Sequence, residues 1–264
     1  MTRRRWIADQ FAPATGHPTS AALTGDQAVH LARVLRAQPG QIFDIVAAGF
    51  LHRAEITAVS PERVDFLLHE ELESDSALPL HLYLAIFKFD RLEWAIEKAT
   101  ELGAAQITPI LARRTEKHLA QASAKRAERW RRIAHEASQQ SRRTSVPLIA
   151  DPTALKPALQ RETALIRILL SETEQTLTLS QAFTNARVPH PSESNPDGWE
   201  VASQPGGTPP FTHALAIGPE GGWTSEEMSL FTQHHWTPVT LGPRILRAET
   251  AAIAAIAIAG TFLG

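Results

Sequence analysis

The sequence predicts an α/β protein in two parts, a small β-barrel over residues 1–74 and an α/β domain over residues 75–264. Three observations lead there. Short β-rich runs separated by turn residues fill the first part. After residue 80, continuous apolar runs alternate with helical patterns, as in a parallel sheet covered on both faces. Hydrophobic residues make up 43% of the 264 positions, and 26 Lys plus Arg nearly balance 28 Asp plus Glu, so the chain has the apolar content for a packed core and no disorder signature.

In the first part, residues 5–8, 41–47, 51–60 and 63–72 read as strands. Pro39-Gly40, Ala48-Gly49 and Ser60-Pro61 punctuate them. One helix is predicted over residues 24–37, where His30, Leu31, Val34 and Leu35 recur at helical spacing. Residues 70–79, acidic and Ser-containing, read as a linker.

In the second part, residues 80–87, 106–111, 164–170, 213–217 and 238–241 are apolar runs suited to buried parallel strands. Between the first two, Leu92, Ala95, Ile96, Ala99 and Leu102 form one helical face, and Gly103 stops it. Thr224 and Glu227 spell a capping box, flanked by Trp223 and Met228 as a hydrophobic staple, which fixes a helix start at Thr224. Residues 184–210 hold six of the 18 prolines and read as a long surface loop. The closing helix, residues 251–263, is Ala-rich with Ile at 253, 256 and 258.

Composition removes several chemistries. Without cysteine there is no disulfide, thiolate metal site, iron–sulfur cluster or cysteine nucleophile. The P-loop, the H-E-x-x-H zinc motif and the G-x-S-x-G elbow are all missing, and no metal is expected. The basic start is not followed by an apolar core of a secretory signal, and the most apolar run, residues 251–263, falls short of the roughly 20 residues that span a bilayer. The expectation is a soluble cytoplasmic protein with no membrane contact. A Rossmann-type cofactor site is also disfavoured, because the first strand of the α/β part ends in Phe87-Lys88-Phe89-Asp90-Arg91, without glycine.

Glycines gather instead in two late loops. One is Ile217-Gly218-Pro219-Glu220-Gly221-Gly222, between a strand and the capped helix; the other is Leu241-Gly242-Pro243-Arg244-Ile245-Leu246-Arg247, between the last strand and the last helix. Glycine lets backbone approach a ligand closely, and open α/β sheets bind ligands at the carboxyl ends of strands. Two such loops suit a clamp for a flat polar ligand. Glu249 and Thr250 are ordinary at a helix start, but Arg247 is electrostatically misplaced there, which points to a functional role.

The motifs I-G-P-E-G-G-W-T-x-x-E (217–227) and L-G-P-R-I-L-R-A-E-T-A (241–251) resemble those of the bacterial 16S ribosomal RNA uridine-N3 methyltransferases of the SPOUT superfamily. The resemblance extends to Arg5-Trp6-Ile7, to His30, Val34-Leu35-Arg36 and Gly40, to Lys88, Lys98, Glu101-Leu102-Gly103 and Pro109, and to the block from Glu136 to Pro147. The proline-rich insertion, and Gln139 where an acid is frequent, depart from it. The resemblance implies a PUA-like β-barrel before a SPOUT domain with a C-terminal trefoil knot. It also implies a homodimer, S-adenosylmethionine as cofactor, and methylation of N3 of a uridine of 16S rRNA in the 30S subunit. Its implied cofactor residues are Leu170, Ser171, Ile217, Gly218, Glu220, Gly221, Leu241, Gly242, Ile245, Leu246, Arg247 and Thr250. Glu249 is the candidate base and Arg247 the candidate stabiliser of a uridine anion.

Residues 113–143 carry ten cations against three acids, a local balance of +7 inside a chain of net charge -2. Arg113, Arg129, Arg132 and Arg143 are the expected RNA contacts there, with Arg5 and Arg36, beside Arg3 and Arg4, on the first part. Two rival readings are an enzyme of the same superfamily acting on another RNA base and a non-catalytic RNA-binding ribosome-assembly factor.

Overall fold

The computed structural model describes residues 5–12, 19–74, 76–185 and 211–264. They form two compact units: Met1–Ala77 with Glu136–Val146, and Leu78–His135 with Pro147–Gly264. The expected proline-rich loop, from residue 186 onward, and the candidate contacts Arg3 and Arg4 lie outside the described residues.

The first unit is a curled sheet, a half-barrel, of β1 (Trp6–Ile7), β2 (Gln10–Ala12), β3 (Ser20–Thr24), β4 (Ile42–Ala47), β5 (Phe50–Val59) and β6 (Arg63–Leu72). Their order is β1-β4-β5-β6-β3-β2. β1 runs parallel to β4, and the other pairings are antiparallel. Leu23, Ile45, Ala54, Ile56, Val64 and Phe66 bury into one cluster, as one face of an antiparallel sheet should. The buried Gln139 ties the helix after β3 to the residue before β1: its Nε2 donates to Gln27 Oε1 at 2.6 Å, and its backbone carbonyl accepts from the Arg5 amide at 3.1 Å.

One local expectation fails. The single helix foreseen over residues 24–37 is α1 (Gly25–Val29) followed by a π-helical turn, His30–Val34. The Leu35 amide donates to the His30 carbonyl, five residues back, at 3.1 Å. The wider turn moves the apolar spacing off one face. Leu31 is fully buried, but Val34 and Leu35 are 64% and 51% exposed.

The second unit runs β7 (Leu78–Ala85), α2 (Phe89–Glu101), β8 (Ala104–Leu111), α3 (Lys117–Gln140, whose last turn from Glu136 belongs to the first unit), β9 (Leu148–Ile149), β10 (Thr153–Ala154), α4 (Leu155–Arg161), β11 (Ile166–Leu170), α5 (Leu179–Asn185), β12 (His213–Ile217), α6 (Ser225–Gln233), β13 (Thr237–Val239) and α7 (Ala248–Leu263). The sheet order is β10-β8-β7-β12-β11-β13, with β9 also on β8, and each pairing is parallel. Side-chain alternation sorts the two faces. Leu80, Leu82 and Leu84 of β7, with Leu215 and Ile217 of β12, pack among α2, α3 and α7. Tyr83, Ala214 and Ala216 pack on the opposite face against α4 and α6. Each fully buried leucine contributes roughly 1.5–3 kcal/mol. Ala252, Ala255 and Ala259 of α7 and Ala95 and Ala99 of α2 are all fully buried, and small side chains allow these helices close approach. Gly103, at φ 99°, closes α2 as its sequence position foretold.

Candidate active site

Because the strands are parallel, their carboxyl ends share one edge, and the loops leaving them meet there. A cavity of about 950 Å³ opens at that edge. Its walls come from Leu170 and the segment after β11, from Ile217 to Trp223 after β12, and from Val239 to Ala248 after β13. Arg91 in the first turn of α2 and Arg114 after β8 complete it.

Each wall is held by identifiable bonds. The Thr224 amide donates to Glu227 Oε2 at 2.8 Å, and the Glu227 amide donates to Thr224 Oγ1 at 3.3 Å, completing the predicted capping box. Glu227 does more than cap: its Oε1 accepts from the Arg113 amide at 2.8 Å, tying the loop after β8 to the start of α6. Arg114 Nη1 donates to the Gly221 carbonyl. Glu174 Oε1 accepts from the amides of Gln175, Thr176 and Leu177 and from Thr176 Oγ1. These bonds, led by that of the Thr176 hydroxyl, hold its carboxyl well below the usual range. The Ser171 amide donates to the Val239 carbonyl at 3.0 Å, and the Thr240 amide to that of Leu177 at 2.9 Å. The Gly242 amide donates to Thr240 Oγ1 at 3.1 Å.

Glycine is required at specific points. A Cβ on Gly218 would meet the Trp223 indole nitrogen at 3.1 Å. Gly242 sits at φ 115°, where side chains are strained. The Trp223 Nε1 atom is buried and has no hydrogen-bond partner among the described residues.

Of the residues singled out from sequence, Leu170, Ser171, Ile217, Gly218, Glu220, Gly221, Leu241, Gly242, Ile245, Leu246 and Arg247 all line this one cavity. Arg247 is the exposed N-cap residue of α7. Thr250 is exposed and stands off the lining, and so does Glu249, which is only 5% exposed.

A family profile described as an RNA methyltransferase domain matches residues 74–260, and one described as an RNA methyltransferase PUA domain matches residues 23–68. The ribosomal RNA small subunit methyltransferase E of Bacillus subtilis is 33% identical over 239 residues, covering 89% of this chain and 87% of that protein. The chain belongs to the ribosomal RNA small subunit methyltransferase E family. Its Synechocystis member is 32% identical over 90% of this chain and 72% of its own length. The Neisseria gonorrhoeae member, crystallised bound to S-adenosylmethionine, matches with a TM-score of 0.74 at 27% identity, covering 98% of this chain and 97% of that one. A Legionella pneumophila methyltransferase in complex with S-adenosylmethionine matches with the same TM-score at 26% identity, covering 98% of this chain and 97% of its own. The fold is thus the SPOUT α/β architecture with a PUA-like N-terminal domain.

The sequence did not single out Arg91 and Arg114 for this cavity. Both sit on its wall, Arg91 in the first turn of the helix after β7 and Arg114 in the loop after β8. The available signal was their place just beyond the carboxyl ends of β7 and β8. The basic segment also changes character. Arg126 and Arg129 share Glu93, at 3.2 and 2.9 Å, and Arg131 pairs with Asp151 at 2.6 Å. Burial pushes the Arg143 guanidinium down to about 10. Arg113, Arg132 and Arg36 are exposed, and Arg5 is partly exposed. Around the cavity stand four arginines, Arg91, Arg114, Arg244 and Arg247.

Proposed function

We propose that this protein transfers a methyl group from S-adenosylmethionine to N3 of one uridine in the 16S rRNA of the 30S subunit. It would act as a cytoplasmic homodimer whose C-terminal segment is threaded as a trefoil knot. The observation that carries this reading is the convergence of the two glycine loops on a single cavity at the strand carboxyl ends. Its volume lies near the top of the roughly 300–1,000 Å³ typical of small-ligand sites.

The residues fit the cofactor. Gly218 and Gly242 put no side chain into the loops, so those backbone amides and carbonyls of residues 217–221 and 241–246 not already bonded, as the Gly242 amide and Gly221 carbonyl are, can read an adenine edge. The buried Trp223 Nε1 is an unmet donor in the wall of this crevice. When bound, S-adenosylmethionine supplies an electrophilic methyl group on a sulfonium. The chain then contributes position and charge. Leu170, Leu241, Ile245 and Leu246 supply apolar wall and Ser171, Glu172 and Glu220 polar groups. Arg247 and Arg244, exposed at the mouth, meet RNA phosphate or the base itself. The exposed Arg113 and Arg132 add cations for RNA, Arg36 and Arg5 supply them from the PUA-like unit, and Arg129, paired with Glu93, and Arg143, half-buried, contribute less. For the dimer, Ile245 is 83% exposed and Phe262 44% exposed, beside and on an otherwise apolar α7, which suits a face covered by a second copy.

The test is mass mapping of 16S rRNA nucleosides from a strain lacking the gene, before and after complementation. One 3-methyluridine should vanish and return. An unchanged map rejects the reading. Light scattering should give about twice 28.9 kDa; a monomer mass rejects the dimer.

A further inference from the structure

Resting on that reading of the reaction, we infer that Arg91 is the cation that faces the uracil ring and that Glu249 is its positioning residue rather than the base. Three elements bring the group together: Arg91 from the first turn of α2, Glu220 from the loop after β12, and Glu249 from the first turn of α7. Arg91 Nη1 lies 2.8 Å from Glu220 Oε1, and its Nε lies 3.7 Å from Glu249 Oε1. Arg91 lines the cavity and Glu249 does not.

A general base must come within about 2.6–3.2 Å of the proton it takes. Glu249 stands behind the wall, 5% exposed, with Oε2 lacking a hydrogen-bond partner among the described residues. A carboxylate there holds the guanidinium from the rear as a charge partner at 3.7 Å, and Glu220 fixes it from the side by accepting from Nη1. Arg91 Nη2 is left without a protein partner among the described residues and is available to a ligand. Uracil that has lost its N3 proton spreads negative charge over N3, O2 and O4, which suits the planar donor set of a guanidinium. Arg91 therefore favours the uracil anion: the N3 proton leaves to water, the N3 electron pair forms the new N–CH3 bond, and the electrons of the broken C–S bond stay on sulfur.

The experiment compares wild type, Arg91→Met, Arg91→Lys, Glu249→Gln and the double variant Arg91→Met/Glu249→Gln. Each is assayed on 30S subunits lacking the modification from pH 6 to 9.5, with calorimetric cofactor affinity and thermal midpoints alongside. Arg91→Met should lower kcat by about 100-fold at neutral pH, the scale of a lost donor to a developing anion. That deficit should shrink as pH rises and the uridine ionises unaided, while cofactor affinity changes by less than about threefold. Arg91→Lys should recover part of the rate. Glu249→Gln should lose about 10-fold with the shape of the pH profile kept. The double variant should recover any lost thermal midpoint but not the rate. A pH-independent deficit in Arg91→Met, a wild-type rate, or a cofactor affinity weakened beyond 10-fold overturns the assignment, as does abolition of activity at every pH by Glu249→Gln. If wild type itself forms no 3-methyluridine, the uridine reading fails and takes the Arg91 role with it; if wild type forms it and Arg91→Met is unimpaired, only the Arg91 role fails.

Discussion

Glu227 joins two walls of the cavity through two backbone donors, so its removal should cost far more than the loss of a helix cap. It is 3% exposed, and its two oxygens accept from the amides of Arg113 and Thr224, each at 2.8 Å. Thr224→Ala removes the 3.3 Å capping bond while leaving the Glu227 carboxylate in place, and should cost about 1 kcal/mol. Glu227→Gln turns an amide NH2 toward one backbone N–H and leaves that buried donor unmet, for about 1–3 kcal/mol. Glu227→Ala leaves both donors unmet, for roughly 2–6 kcal/mol. Urea unfolding of the three variants, followed by tryptophan fluorescence, gives the series directly. Cofactor affinity should fall in the same order, because the freed segment carries Arg114 and its bond to Gly221. Glu227→Ala costing no more than Thr224→Ala would refute the cross-loop role.

Three other outcomes are expected. Gly242→Ala forces a side chain to φ 115° with nothing within 4 Å to clash, so backbone strain of about 1–3 kcal/mol should drive the free loop to another conformation and weaken calorimetric cofactor binding about 10-fold or more; unchanged binding would refute a need for this loop conformation in the complex. Binding to 30S subunits should fall by about 100-fold between 50 and 200 mM salt, and Arg244→Ala or Arg247→Ala should each flatten the log–log slope by about one phosphate contact, more than Arg129→Ala, whose guanidinium is already committed to Glu93 at 2.9 Å; equal slopes for all three would contradict this ranking. Burial pushes the His213 imidazole down to about 4. The unfolded chain therefore binds the proton more readily between about pH 6.5 and 4, and stability present above that window is lost on acidification, by up to about 3 kcal/mol. Denaturation midpoints of His213→Asn should show a shallower fall across that window, and a slope equal to wild type would remove His213 as the cause.

Much of the fold was legible because its signals are local. The helical face from Leu92 to Leu102, the Gly103 stop and the Thr224–Glu227 box depend on residues within four positions of each other. The strands β7, β8 and β12 announced themselves as apolar runs since both faces are covered. The turn at His30 escaped because a π-helical bulge leaves no periodic trace of its own; the spacing of Val34 and Leu35 looked inward until an extra residue per turn carried them out.

The cavity was half legible for the same reason. Its glycine loops are contiguous motifs, and the two motifs hold nine of the eleven residues singled out from sequence that line one space. The sequence by itself determined the two-part α/β organisation, the helix caps and the identity of those loops. Only the tertiary structure brought Arg91 to Glu220 across 129 positions and Arg114 to Gly221 across 107, placed Glu249 behind the wall, and committed Arg126 and Arg129 to Glu93. Charge counted along a chain does not reveal which opposite charge the sheet order will set beside it. That order is fixed by the packing of whole layers.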